Sequence, residues 1–403
     1  MSLEITNPED AHYVPRSGKS WRDPFPMYAA LRDHAPVYSF DNAEGEIWTL
    51  ARFKDVFEAA IDAATFSSAQ GLTMAYGEME RLGIEAPIVM MDPPDHTALR
   101  KLAIKRFTPK QVKAIEPMIR EFVVERVERL RQKGEGDIVT ELFKPLPSLV
   151  VGHFLGVPEA DRPLFDRWTD GIVAANADGD IGSANDAVGE LFAYFNAMIE
   201  RVRKEPGDDM ISALVHARID GEELSLVKIL GFAFTMVTGG NDTTTGLLSG
   251  GAELLTRNPE QRDLLAKDPS LAANAIEEFL RLTSPVQGLA RMTTRDVTIE
   301  GVTIPKDRKV MLLYASANRD EREFGPDAAE CNVGRKVRRH MALGYGAHHC
   351  IGAAAARQQA RVALEELVTR CPKFTVDYEA GEFASGNFVR RYMTLPFSAK
   401  GDA

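Results

Sequence analysis

Between Ser225, whose hydroxyl suits a helix N-cap, and Arg257, the chain reads as one helix of roughly 32 residues, about 48 Å long at 1.5 Å per residue. An element of that length crosses an entire domain, so the fold has to be assembled around it. Hydrophobic residues make up 44% of the 403-residue chain and charged ones 27%, which allows a sizeable core and excludes disorder or a fibrous repeat. At roughly 150 residues per domain the length would suit two or three units. No repeat, low-complexity linker or shift in composition marks a boundary, and the expectation is a single domain over residues 1–403.

Helical periodicity recurs elsewhere. Thr108 and Pro109 suit an N-cap and a first helical position, and Val112, Ile115, Ile119, Phe122, Val123, Val127 and Leu130 repeat at helical spacing up to Gly134, with a break expected at Pro117. Further helices are expected over roughly 186–204 and from Ala353 to Leu367. Strand signals are fewer. Ile47–Leu50 follows a stretch rich in turn formers and in proline (Pro8, Pro15, Pro24, Pro26, Pro36). Val297–Ile299 and Val302–Ile304 flank Glu300-Gly301 as a hairpin, and Val310–Leu313 follows. The expected class is mainly α with a small β region.

The formal net charge of −11 disfavours a global role in binding polyanions, so no nucleic acid is expected as a partner. The first ten residues, MSLEITNPED, lack the basic start and apolar run of a secretory signal, and no apolar run approaches 18 residues. A cytoplasmic protein without a membrane span is expected. Cys331, Cys350 and Cys371 are odd in number and contain no CxxC, against a disulfide framework or a zinc knuckle.

Cys350 has distinctive neighbours. It ends the run Leu343-Gly-Tyr-Gly-Ala-His-His-Cys350 and precedes Ile351-Gly352 and a strongly helical segment, so it stands at a helix mouth. The helix dipole and free N–H groups there favour a thiolate, while Gly344, Gly346 and Gly352 let backbone pass close to something flat and bulky. Such a thiolate can be the axial ligand of haem iron. Two other readings stand beside it: a small buried hydrophobe, and a zinc site using His348, His349 and Cys350.

The centre of the long helix reads Gly239-Gly-Asn-Asp242-Thr243-Thr-Thr-Gly246, where local propensity opposes helix. Poor helix formers there suggest close approach of a ligand, a close-packed crossing, or a local opening in which a Thr hydroxyl bonds the carbonyl four residues back; Thr243 could reach Gly239. Glu278 and Arg281 stand at i and i+3, which for a solvated pair would carry only about 0.2–0.5 kcal/mol. His96 and Arg100 fall at i and i+4 on one helix face within Asp92-Pro-Pro-Asp-His96-Thr-Ala-Leu-Arg100.

Together and in this order, these segments resemble the cytochrome P-450 haem-thiolate monooxygenases. The family's haem loop reads F-G-x-G-x-(H/R)-x-C-x-G, with Leu343 here replacing the usual Phe beside the sulfur. The helix run matches (A/G)-G-x-(D/E)-T-T, the Glu278–Arg281 pair the ExxR motif with Arg335 as its third, structural member, and the His96 segment DPPxHxxxR. The resemblance implies the triangular cytochrome P-450 fold and haem b, with axial thiolate from Cys350. It also implies propionate or loop contacts from His96, Arg100, Arg291, His340, His348, Gly344, Gly346 and Gly352, and proton delivery during oxygen activation by Asp242 and Thr243. The implied partners are O2, a small, largely apolar substrate, and a ferredoxin with its ferredoxin reductase. The substrate site is expected along 70–90, 165–195, 232–240, 286–291 and 387–393, with Thr235, Thr238, Gly239 and Phe388 as lining candidates.

Two alternatives keep the haem: a peroxide-dependent or oxidative-coupling enzyme, and a non-catalytic haem sensor or carrier. The pair Asp242-Thr243 favours dioxygen activation. A basic docking surface for an acidic ferredoxin is expected from Lys336, Arg338 and Arg339, with Arg335 turned inward, and from Lys101, Lys105, Arg106, Lys110 and Lys113.

Overall fold

The long helix spans Leu226–Arg257, and the Ser225 hydroxyl accepts from Lys228 N at 3.1 Å as its N-cap. The computed structural model describes residues 11–82, 85–165, 167–168, 181–387 and 389–400. Among the helices that pack on the long helix are Pro145–Leu155, Ala272–Thr283, Ile181–Lys204 and Ala353–Arg370. Their shared core includes Leu247, Leu248, Leu255, Ile276, Phe279, Leu364 and Leu367. Each such side chain contributes about 1.5–3 kcal/mol by leaving water.

The helix stays continuous through its glycines and threonines because neighbours occupy the space that side chains would fill. A Cβ on Gly246 would lie 2.7 Å from the Arg390 carbonyl oxygen, so only glycine lets the chain near the C-terminus cross there. A Cβ on Gly239, by contrast, would meet no atom within 4 Å. The close-packed crossing accounts for Gly246, while no neighbouring atom of the described chain requires a glycine at Gly239.

Thr108 accepts from Gln111 N and caps Pro109–Ala114, and a new helix, Glu116–Lys133, starts where Pro117 interrupts. Gly134, at φ +84°, ends it. The mainly α class is as expected, and so are the helices Ile181–Lys204 and Ala353–Arg370.

The β region is a five-stranded sheet in the order Val37–Asn42, Gly45–Leu50, Lys309–Leu312, Leu289–Thr293, Phe66–Ser67, in which only Gly45–Leu50 and Lys309–Leu312 run parallel. The hairpin Val297–Ile299/Val302–Ile304 turns through Glu300 at φ +50° and Gly301 at φ +80°. A three-stranded sheet joins Glu135–Asp137 to Thr375–Val376 and Pro396–Ser398. The proline-rich stretch that reads as turns contains the helix Phe25–His34, because Pro26 sits in its first turn, where a missing N–H costs nothing. No helix among the described residues is long and apolar enough to cross a membrane.

Candidate functional site

Cys350 lies immediately before the helix Ala353–Arg370, its N–H donating to the Leu343 carbonyl at 2.8 Å, which closes the glycine loop on itself. Gly344 (φ +64°) and Gly346 (φ +68°) take the left-handed region. A Cβ on Gly346 would lie 2.9 Å from the Ala60 carbonyl oxygen. That glycine therefore seats the loop on the helix Phe53–Ile61. Gly352 is beside the sulfur, its Cβ position 4.0 Å from Cys350 Sγ.

Burial is the larger effect and pushes the Cys350 thiol up, while the Gly352 N–H and the charges of Arg100 and Arg357 act in the opposite direction. Cys331 and Cys371 are buried thiols pushed up to about 12 and about 11. Among the described residues no three His, Cys, Asp or Glu side chains converge as a metal group, which removes the zinc reading.

The rings of His96 and His348 lie 4.3 Å apart, and His96 Nδ1 and His348 Nε2 are buried without a hydrogen-bond partner. Burial first, and then the charges of Arg291, His96 and Arg100, push His348 down to about 3. Arg291 is buried and donates to the Ala290 carbonyl at 2.8 Å, and no carboxylate pairs with it among the described residues. Arg100 donates to the His349 carbonyl and so ties the helix Asp95–Ala103 to the cysteine loop. Among the described residues these four, His96 and Arg291 buried and Arg100 and His348 half-buried, gather two guanidinium charges and two unpartnered ring nitrogens with no carboxylate paired to them.

His340 does not join them. Its Nε2 is 3.2 Å from Glu277 Oε2, and its Nδ1 accepts from Ala342 N at 3.2 Å, so both ring nitrogens are occupied. Its expected propionate contact is thus replaced by a structural one. Arg357 also grips Glu277, at 2.6 and 3.0 Å. This Glu277–His340–Arg357 group fixes the loop to two helices. The sequence reading missed Glu277 and Arg357.

On the long helix, Thr243 Oγ1 donates to the Gly239 carbonyl at 2.7 Å without breaking the helix. Thr235 and Thr238 likewise donate to Gly231 and Phe234 carbonyls, at 2.8 and 2.9 Å. Phe234, Thr235 and Thr238 are half-buried and Gly239 is exposed, so this helix face borders open space. Asp242 is buried, its Oδ1 2.9 Å from Arg391 Nε. Arg391 was also missed, although two adjacent arginines in an apolar run, Arg390-Arg391, were a visible signal. Phe388 lies outside the described residues, as does part of 165–195.

Glu278 and Arg281 are fully buried and paired at two points, 2.7 and 2.8 Å, and Arg335 Nε joins Glu278 at 3.1 Å. Arg335 also grips Asp327, at 2.7 Å. Among the expected docking cations, Arg339 is held by Glu323 at 2.7 and 2.9 Å and lies over the Phe53 and Phe57 rings, and Arg106 pairs with Asp208. Lys101, Lys105, Lys110, Lys113, Lys336 and Arg338 are exposed, with no ion pair among the described residues.

The family model for "Cytochrome P450" matches residues 19–381. The chain is 57% identical over 389 residues to "Cytochrome P450 130" of Mycobacterium tuberculosis, covering 94% of this chain and 96% of that protein. It is 36% identical over 401 residues to a "Vitamin D(3) 25-hydroxylase" of Pseudonocardia autotrophica, with 98% of each covered. The solved structure of cytochrome P450 CYP109Q5 from Chondromyces apiculatus superposes with a TM-score of 0.84 at 35% identity, over 94% of this chain and 95% of that one.

Proposed function

The chain belongs to the cytochrome P450 family, monooxygenases whose haem iron is held by a cysteine thiolate, and we propose that Cys350 is that ligand in an enzyme that hydroxylates a small, largely apolar substrate. The observation that carries the reading is the cluster of His96, Arg100, Arg291 and His348, the first and third buried and the others half-buried, in which two buried ring nitrogens lack partners and, among the described residues, no carboxylate pairs with the arginines. Buried polar groups left without a partner cost about 1–3 kcal/mol each, more where charged. Two carboxylates on a flat prosthetic group, as in haem b, would relieve them, so the residues fit the group. When bound, the haem supplies the redox chemistry, using dioxygen and two electrons so that one oxygen atom enters the substrate and the other leaves as water.

In this reading the protein side has three tasks. The Gly352 N–H, Arg100 and Arg357 stabilise negative charge at Cys350 Sγ. Asp242 and Thr243 draw in the two protons that the reaction consumes, and the Thr243 hydroxyl, half-buried at the edge of the open space, is the donor. Thr235, Thr238 and Gly239 line the substrate space; with both hydroxyls turned onto helix carbonyls, the wall offers few free donors, which suits an apolar molecule. The relative named as a hydroxylase of vitamin D(3) is consistent with such a wall. Electrons come from an acidic ferredoxin and its reductase, docking on Lys101, Lys105, Lys110, Lys113, Lys336 and Arg338.

A turnover assay with a reductase, a ferredoxin and O2 tests the reading. Substrate should gain one oxygen atom, and in 18O2 that atom should be 18O. Product formed with peroxide alone, and none with O2 and reductant, would replace this function by the peroxide-dependent one.

A further inference from the structure

The ion pair between Asp242 and Arg391 joins two parts of the molecule that have separate tasks. Asp242 belongs to the long helix, while Arg391 belongs to the C-terminal segment expected to border the substrate. The side chains are 6% and 1% exposed, so this is an interior pair. Its neighbours are occupied elsewhere: Arg390 and Tyr392 both turn to Glu253, three helical turns further along, at 3.3 and 2.9 Å. The segment is pinned on its other side by Arg390 N donating to the Pro285 carbonyl at 2.8 Å and by the bridge between Val286 and Val389. Gly246, one turn beyond Asp242, is the opening that lets this segment lie against the helix. Arg391 is therefore delivered to Asp242 by backbone packing, not by a flexible side chain searching a surface.

Interior ion pairs are weak contributors to net stability, because desolvation offsets the attraction, so stability alone does not explain this one. A lone carboxylate in a low-dielectric interior is disfavoured as a charge and free to rotate. Both defects would hinder a proton relay, which needs an acid that empties and refills in a fixed direction.

We propose that Arg391 is the positioning residue of the proton relay, holding the Asp242 carboxylate in place and charge-balanced between transfers, so that the segment bordering the substrate also sets the pace of proton delivery at Thr243. The proposal rests on Asp242 and Thr243 being the acid and the alcohol. In each cycle the Asp242 carboxylate takes a proton from solvent and passes it to the Thr243 oxygen as that hydroxyl gives its own proton to the dioxygen-derived oxygen that leaves as water. The carboxylate then returns to Arg391. No electron moves in this step.

The test uses the haem-loaded Arg391→Gln, Arg391→Lys, Asp242→Asn and Asp242→Asn/Arg391→Gln variants, reading kcat, KM, the peroxide share of the reductant consumed, and the solvent deuterium isotope effect. Arg391→Gln should lower kcat about tenfold with KM within about twofold, and should raise both the peroxide share and the isotope effect. Arg391→Lys should recover most of kcat. The double variant should match Asp242→Asn alone, and this comparison decides the matter even if Arg391→Gln by itself fails to retain haem. An Arg391→Gln enzyme with unchanged isotope effect and peroxide share beside a slow Asp242→Asn enzyme would overturn the proposal, as would a double variant clearly worse than Asp242→Asn. An unimpaired Asp242→Asn enzyme would instead remove the acid–alcohol reading beneath it.

Discussion

The imidazoles of His96 and His348 meet with their ring centroids 4.3 Å apart, and each keeps one buried nitrogen without a partner. Two histidines 252 residues apart in sequence that share an unmet hydrogen-bonding demand describe a ligand as clearly as they describe a fold. If a propionate pair meets that demand, His96→Phe and Arg291→Leu should each weaken haem retention by about 10- to 100-fold, the worth of one charged hydrogen bond. Transfer of haem to apomyoglobin measures it. An unchanged transfer rate in both variants would contradict the assignment.

Adjacent glutamates on the helix Ala272–Thr283 have different partners. Removing the Glu278 carboxylate leaves Arg281 buried and unpaired, which should cost about 3–5 kcal/mol. Glu278→Gln is thus expected to lower the denaturant midpoint sharply, whereas Arg335→Ala, partly exposed, should do less.

Glu277 supplies a pH signature. Burial alone would raise its pKa, but hydrogen bonds from His340 and Arg357 overrule that and hold it at about 2, against an ordinary 4.5. A depressed carboxylate stabilises the fold fully above about pH 4.5 and loses that contribution as pH falls towards 2. The stability gap between the parent protein and Glu277→Gln should therefore be constant near neutrality and close between pH 4.5 and 2, as followed by circular dichroism.

Thr243→Ala should leave substrate affinity nearly intact and divert reductant from product to peroxide, because the hydroxyl now tied to Gly239 would be absent from the relay. Hydrogen peroxide formed per reductant consumed is the readout; an unchanged product yield would contradict the role.

Electron transfer should slow as salt rises, with screening over about 8 Å at physiological ionic strength. Lys101→Glu and Arg338→Glu should cut the rate without altering substrate affinity. Arg339→Glu is different: it breaks the grip on Glu323 and the packing over Phe53 and Phe57, so it should lower stability as well. Rates indifferent to salt and to both exposed reversals would place the reductant on another face.

Much of this was legible because the informative residues act locally. The Ser225 cap, the break at Pro117, the Glu300-Gly301 turn and the bond from Thr243 to Gly239 all depend on spacings of a few residues, which a sequence displays. The ExxR triad and the cysteine loop were legible through motif resemblance. What escaped depends on distant packing. His340 has the right residue type for a propionate contact, yet Glu277 and Ala342 claim both its nitrogens. Gly346 signals close approach without saying to what, and the answer is Ala60. Arg391 is invisible as a partner of Asp242 until the C-terminal segment is laid across Gly246.

The central claim is that Cys350, and neither of the other two cysteines, provides the thiolate. Its most direct test is the absorption spectrum of the ferrous carbon monoxide adduct, since a trans thiolate shifts the Soret band to the red. Cys331→Ala and Cys371→Ala should keep the shifted band and Cys350→Ala should lose it; a band that survives in Cys350→Ala and vanishes in either of the others would contradict the account.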